Sequence, residues 1–180
     1  MGHGQRAHGP VKEGMWWSLW RTLLALVCLA GIATAHASNA AQWEGVAVKV
    51  VDGDTLHVQA AQGGAFHKLR IKGIDAPELC QSWGGQSREA LARLVWCQRL
   101  TVLMRDVDDH GRWLVQVMVQ GKDVGALMVA QGHAWSYQFR RDPGPYAALE
   151  KQAAGQRLGL FSQPPAIRPR EFRQRHGPCR

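Results

Sequence analysis

Four short clusters of charged side chains carry the chemistry available to this sequence. They are Asp52-Gly53-Asp54-Thr55, Arg70 between Leu69 and Ile71, Asp75-Ala76-Pro77-Glu78, and Asp108-Asp109-His110-Gly111-Arg112. Taken singly, each has an ordinary reading. Asp-Gly is common turn chemistry, an acidic loop can follow a strand, and an Asp-rich hairpin turn is often only solvated. An arginine in an apolar strand needs an anionic partner, whether a structural aspartate or a ligand phosphate. Taken together, they supply the parts for phosphodiester hydrolysis. Carboxylates can hold a hard cation against phosphate, another carboxylate can activate water, and two arginines can hold developing negative charge through forked donors. No serine–histidine or cysteine–histidine arrangement competes. Ser82 and Ser87 lie near Glu78 but not in a nucleophile elbow, and the eight histidines have no zinc spacing.

Positioning these clusters requires strands and turns. Residues 43–59 alternate apolar and polar side chains, with Val46, Val48 and Val50 on one face, and turn through Asp52-Gly53-Asp54 into Leu56 and Val58. That pattern predicts a hairpin. Gln62-Gly63-Gly64 makes a second turn into a third strand, Phe66 to Ile74, which Pro77 ends. A helix is expected over Gly84–Trp96, with Ala90, Leu91, Leu94 and Val95 inward. Strands follow at Leu100–Arg105 and Trp113–Gln120, then helices at Asp123–Gln131 and Tyr146–Arg157, the former capped by Gly132. Five short strands, with one helix between the third and fourth and more after the fifth, fit an α+β chain built on a five-stranded Greek-key barrel with about three helices.

The segments V-V-D-G-D-T-L (50–56), L-R-I-K-G-I-D-A-P-E (69–78), D-H-G-R-W-L (109–114) and A-L-M-V-A-Q-G-H-A-W-S-Y (126–137) resemble the staphylococcal nuclease family in order and spacing. The resemblance covers residues 43–163 and ends in Gly159-Leu160-Phe161. It implies the oligonucleotide-binding (OB) barrel, in agreement with the strand reading, and a Ca²⁺-dependent nuclease. By this resemblance Asp54 and Asp75 bind the cation, with the backbone carbonyl of Ala76. Glu78 is the general base or orients the attacking water, Arg70 contacts phosphate, and Arg112 stabilises the transition state. His110 stands where a phosphate-holding tyrosine is often seen. Trp135 and Tyr137 fall at positions lining the nucleotide pocket, and the ring of Trp135 either stacks on a base or fills the core. The alternative of another class is a barrel that holds nucleic acid without cutting it; such domains lose the carboxylates or arginines that this chain keeps.

Composition agrees with a polyanionic partner. The 180 residues carry 22 basic and 14 acidic side chains, formally +8, and from Ser38 onward 19 basic residues face 13 acidic ones. A basic surface attracts nucleic acid, and less specifically membrane or polysaccharide. Residues 1–37 read as an export signal. Arg6, Lys12 and Arg21 precede an apolar run from Thr22 to Ala35, and Ala35-His36-Ala37 offers a small-x-small cleavage site. The mature protein is thus expected in the periplasm or outside the cell, as a monomer with no lasting membrane association; the less favoured alternative is that residues 1–37 stay uncleaved as an N-terminal membrane anchor. The remainder divides into a barrel domain at 43–163 and a tail at 164–180, rich in Pro and Arg and expected to be loose or merely docked. An oxidising compartment lets cysteines pair. Beyond the signal there are three, Cys80, Cys97 and Cys179. A Cys80–Cys97 bond lies at the edge of what the intervening helix allows; Cys80–Cys179 meets no such restraint and is the expected pair.

Overall fold

The computed structural model describes residues 1–2, 41–109, 111–162 and 165–179. The expected export signal, apart from its first two residues, lies outside the described residues. The elements all fall in one unit, Asn39–Arg180.

Five strands close on themselves. β1 (Gln42–Val50), β2 (Thr55–Ala60) and β3 (Phe66–Ile71) form an antiparallel meander. After the two-residue β4 (Ile74–Asp75) and helix α1 (Gly84–Val95), β5 (Arg99–Val107) returns beside β1, and β6 (Trp113–Val119) pairs with β5. The ring is shut by a parallel pairing of β3 with β6, in register at Leu69 with Trp113 and Arg70 with Leu114. This is the expected five-stranded OB barrel. Its inner surface is apolar: Leu56, Val58, Leu69, Ile71, Leu100, Val102, Val115 and Val117 are all within 1% of complete burial. Each such side chain contributes about 1.5–3 kcal/mol through removal from water.

The strand β7 (Lys122–Asp123) leads into helix α2 (Val124–Ala130), whose N-cap Asp123 accepts from the amides of Gly125 and Ala126. Leu91 and Val95 of α1 and Val124, Met128 and Val129 of α2 complete the core. β8 (Trp135–Ser136) pairs with β4, and helix α3 (Ala147–Gly155) and a 3₁₀ turn at Gly159–Ser162 follow.

Two expectations need correction. The third strand does not run unbroken to Ile74. It stops at Ile71, and a turn at Lys72-Gly73 sets Ile74 and Asp75 on a separate short strand. Val46, Val48 and Val50 do not share one face: the first two are 46% and 41% exposed, whereas Val50 packs against the core. The inward positions of β1 before its bend are Trp43, Gly45 and Ala47, two of them small. A slip in register between Ala47 and Lys49 marks the bend. Among the described residues there are four α-helices, in keeping with the about three expected, the fourth being α4 (Pro169–His176) in the docked tail. A disulfide joins Cys80 to Cys179, with Cα atoms 5.7 Å apart, while Cys97 is a free, exposed thiol. The side chain of Gln81 donates to the Ile167 carbonyl, and Arg168 pairs with Glu150 and donates to the Ser136 carbonyl.

Candidate active site

The turn between β1 and β2 is built so that Asp54 faces inward. The Asp52 carboxylate accepts from the Asp54 amide (2.9 Å), which fixes the turn locally. Gly53 is required by a close approach: a Cβ there would lie 1.9 Å from Oγ of Ser87. Ser87 itself is buried in α1 and donates to the His133 carbonyl, so it cannot retreat. Asp54 is therefore pressed between helix and barrel, 3% exposed. One of its oxygens accepts from Arg70 Nη1 (2.8 Å) and Thr55 Oγ1 (2.9 Å), and the other from the Ala76 amide (3.1 Å).

Arg70 arrives opposite Thr55 through the β2–β3 register, and its second nitrogen lies 3.3 Å from Asp75. One guanidinium thus bridges two buried carboxylates that are 21 residues apart in sequence. The parallel closure of the barrel sets Arg70 beside Leu114 and so brings Arg112, at the start of β6, to the same end. Arg112 donates through Nε (2.7 Å) and its amide (2.9 Å) to the two oxygens of Asp108. Glu78 sits on a tightly folded loop. Its amide donates to the Gln81 side chain, and its carbonyl accepts from the Gln81 amide. Gly84 packs so near that a Cβ would be 2.0 Å from the Glu78 carbonyl oxygen. The Glu78 carboxylate is paired with Arg173 of α4.

These groups line one cleft of about 550 Å³, which contains Asp54, Arg70, Asp75, Ala76, Glu78, Arg112, Tyr137 and Arg173. Its charge is unbalanced toward acid. Burial, and then the Asp54 carboxylate, push Asp52 up to about 7. Burial and Asp54 likewise push Asp75 up to about 6, against the opposing pull of Arg70 and Arg173. Arg70 is held more firmly protonated than usual: burial works against its charge, but Asp54, Asp75, Asp52 and Glu78 outweigh it. Among the described residues no three His, Cys, Asp or Glu side chains form a ready metal cage. A hard cation at Asp54 and Asp75 would draw its other oxygens from a backbone carbonyl, water and phosphate, which suits Ca²⁺ with its six to eight ligands. The excess of buried carboxylate over arginine fits that ion chemically.

Of the residues expected from sequence, Arg70, Glu78, Arg112, Asp54, Asp75, Ala76 and Tyr137 meet at the cleft. Tyr137 is 47% exposed, with its ring available at the edge. Trp135 is not: it is 3% exposed, edge-on to Phe161 with Arg168 over its ring, so the core reading fits. His110 lies outside the described residues. Two contributors, Gln81 and Arg173, escaped the sequence reading, and a third, Asp52, entered it only as part of its cluster. Asp52 was visible within the Asp-Gly-Asp turn but had no separate signal. Gln81 and Arg173 had none, since their roles depend on the docked tail.

The family profile described as Staphylococcal nuclease homologue matches residues 68–163. The protein named ParB from Escherichia coli is 37% identical over 146 residues, covering 74% of this chain and 81% of that one. A micrococcal nuclease of Shigella flexneri is 34% identical over 145 residues, covering 74% and 82%. An uncharacterized endonuclease of Haemophilus influenzae is 34% identical over 128 residues, covering 71% of each.

Proposed function

The chain belongs to the staphylococcal nuclease family and is a nuclease; from that premise we propose that it is an exported, Ca²⁺-dependent enzyme that cuts DNA or RNA internally. The single observation carrying this reading is that two buried aspartates, a glutamate and two arginines from separate segments converge on one cleft. Asp54, Asp75 and the Ala76 carbonyl would hold the cation. When bound, Ca²⁺ supplies positive charge to the phosphate and lowers the barrier to attack by water.

The protein's own groups do the rest. Arg70, held by Asp54 and Asp75 at 2.8 and 3.3 Å, faces a phosphate oxygen without having to search for its orientation. Glu78 takes a proton from the attacking water, a role that requires its carboxylate to turn from Arg173 toward the phosphate. Arg112, oriented by Asp108, meets the charge that develops as the P–O bond breaks. Tyr137 at the rim offers a ring to a neighbouring base. Export is supported by the basic, apolar and small-residue order of residues 1–37 and by the Cys80–Cys179 bond, which persists in oxidising compartments.

Cleavage of single-stranded DNA and of RNA by the purified protein, with Ca²⁺ and with chelator, tests the reading. Cutting should require the cation, and Glu78→Ala should lose turnover by about 10² or more while still binding the strand. Undiminished cutting by Glu78→Ala would remove the assigned base.

A further inference from the structure

Helix α4 lies beyond residue 163, where the family match ends, yet it forms part of the wall of the catalytic cleft. Three attachments fix it, and each runs to a segment that carries the site. The disulfide reaches Cys80 and a hydrogen bond reaches Gln81, both on the Glu78 loop. Arg168 reaches the Ser136 carbonyl, next to Tyr137 and on the strand paired with β4. Arg173 is thereby delivered against Glu78, with its side chain 44% exposed and that of Glu78 27% exposed. A guanidinium carries five N–H donors in a fixed fork, and the bond to Glu78 engages one nitrogen. The remaining donors stand at the wall of a cleft that also holds Arg70 and Arg112.

We propose that Arg173 is a third phosphate-binding arginine of the site, presented to the nucleic-acid backbone by a helix that the Cys80–Cys179 bond staples beside the catalytic loop. This inference rests on the nuclease reading and extends it to a substrate contact outside the family's matched segment. In the free enzyme Glu78 occupies the guanidinium. An entering phosphate takes over that partner, which turns the Glu78 carboxylate toward water.

The test is binding of a fluorescent oligothymidylate to the full chain in chelator, so that nothing is cut, followed across about 50 to 200 mM salt. Arg173→Ala should weaken binding by about fivefold to tenfold, the scale of one charge-assisted contact at a half-exposed position. The slope of log affinity against log salt should become shallower by about 0.7, the signature of one lost phosphate contact on a single strand. Arg173→Lys should restore the slope and only part of the affinity. Cys179→Ser should reproduce the loss, and combining it with Arg173→Ala should add nothing further. Unchanged affinity and slope in an Arg173→Ala protein that still cuts would overturn the inference, as would tighter binding or faster cutting. Failure of the nuclease reading is a different result: the parent protein would not cut at all.

Discussion

Removing the charge of Arg70 tests whether the site's electrostatics are as the geometry implies. Arg70 lies between Asp54 and Asp75, whose side chains are 4% and 12% exposed, and is itself 21% exposed. Arg70→Met keeps most of the apolar stem and strands two buried carboxylates. Breaking a buried pair in this way costs about 3–5 kcal/mol. One-fifth exposure of the arginine argues for the lower end, about 3 kcal/mol, which is about 10 °C in Tm for a domain of this size. The loss should also depend on pH, and its sign follows from linkage. Asp75 and Asp52 have native pKa values of about 6 and about 7, above the ordinary 3.8, so between those limits the native state binds more protons than the unfolded chain. Their contribution to stability is therefore present at acid pH and lost as pH rises through 6 to 7. Without Arg70 that slope should steepen, so the deficit at pH 7 should shrink markedly at pH 5. Calorimetry in chelator at the two pH values measures it, with Arg93→Met as control. Arg93 pairs with Glu89 where both are 66% exposed, and its loss should cost no more than about 0.5 kcal/mol. Equal costs for the two variants, or a deficit at Arg70 that ignores pH, would refute the argument.

Two further outcomes follow from the geometry. Arg112→Lys should impair turnover severely, because an ammonium cannot both hold Asp108 through Nε and present a fork to phosphate; steady-state kcat near that of the parent would count against its role. His133 contributes to acid lability. Its Nδ1 accepts from Trp83 Nε1 (3.2 Å), and burial, helped by Arg93, lowers its pKa below 6.5. The native state then resists the proton that the unfolded chain takes, so this contribution is full above 6.5 and lost as pH falls below it. His133→Gln, which keeps an acceptor but cannot protonate, should lose less stability than the parent between pH 7.5 and 5.5 in denaturant titrations. Identical pH dependence would remove His133 from the account.

Much of this molecule was legible before its coordinates were known. The Asp-Gly-Asp turn, the arginine set in an apolar strand, the Asp-Ala-Pro-Glu loop and the Arg after an Asp-rich turn each announced themselves through residue types that are costly or pointless elsewhere. The period-two alternation of the strands and the apolar stripes of α1 and α2 located the barrel around them. These signals are local: burial face, turn geometry and charge are written in neighbouring residues. Even there the valines of β1 do not share one face, because a slip in register between Ala47 and Lys49 turns Val50 onto the core. The pairing of Cys80 with Cys179 was also within reach, since helix length argued against the nearer partner.

What the sequence alone determined is the inventory of the site and the strands that carry it. What tertiary structure decided is adjacency. Arg70 and Arg112 share a cleft because β3 and β6 pair in parallel, 42 residues apart at Arg70 and Arg112, a contact no local pattern encodes. Trp135 went to the core and Tyr137 to the rim because β8 ends at Ser136: Trp135 within the strand is 3% exposed, and Tyr137, just past it, is 47% exposed. Arg173 meets Glu78 across 95 residues. It does so through a polar helix with no apolar stripe of its own, held by a disulfide and hydrogen bonds to the Glu78 loop. Such a helix leaves no periodic trace in the sequence, because the interactions that place it are made by its partners.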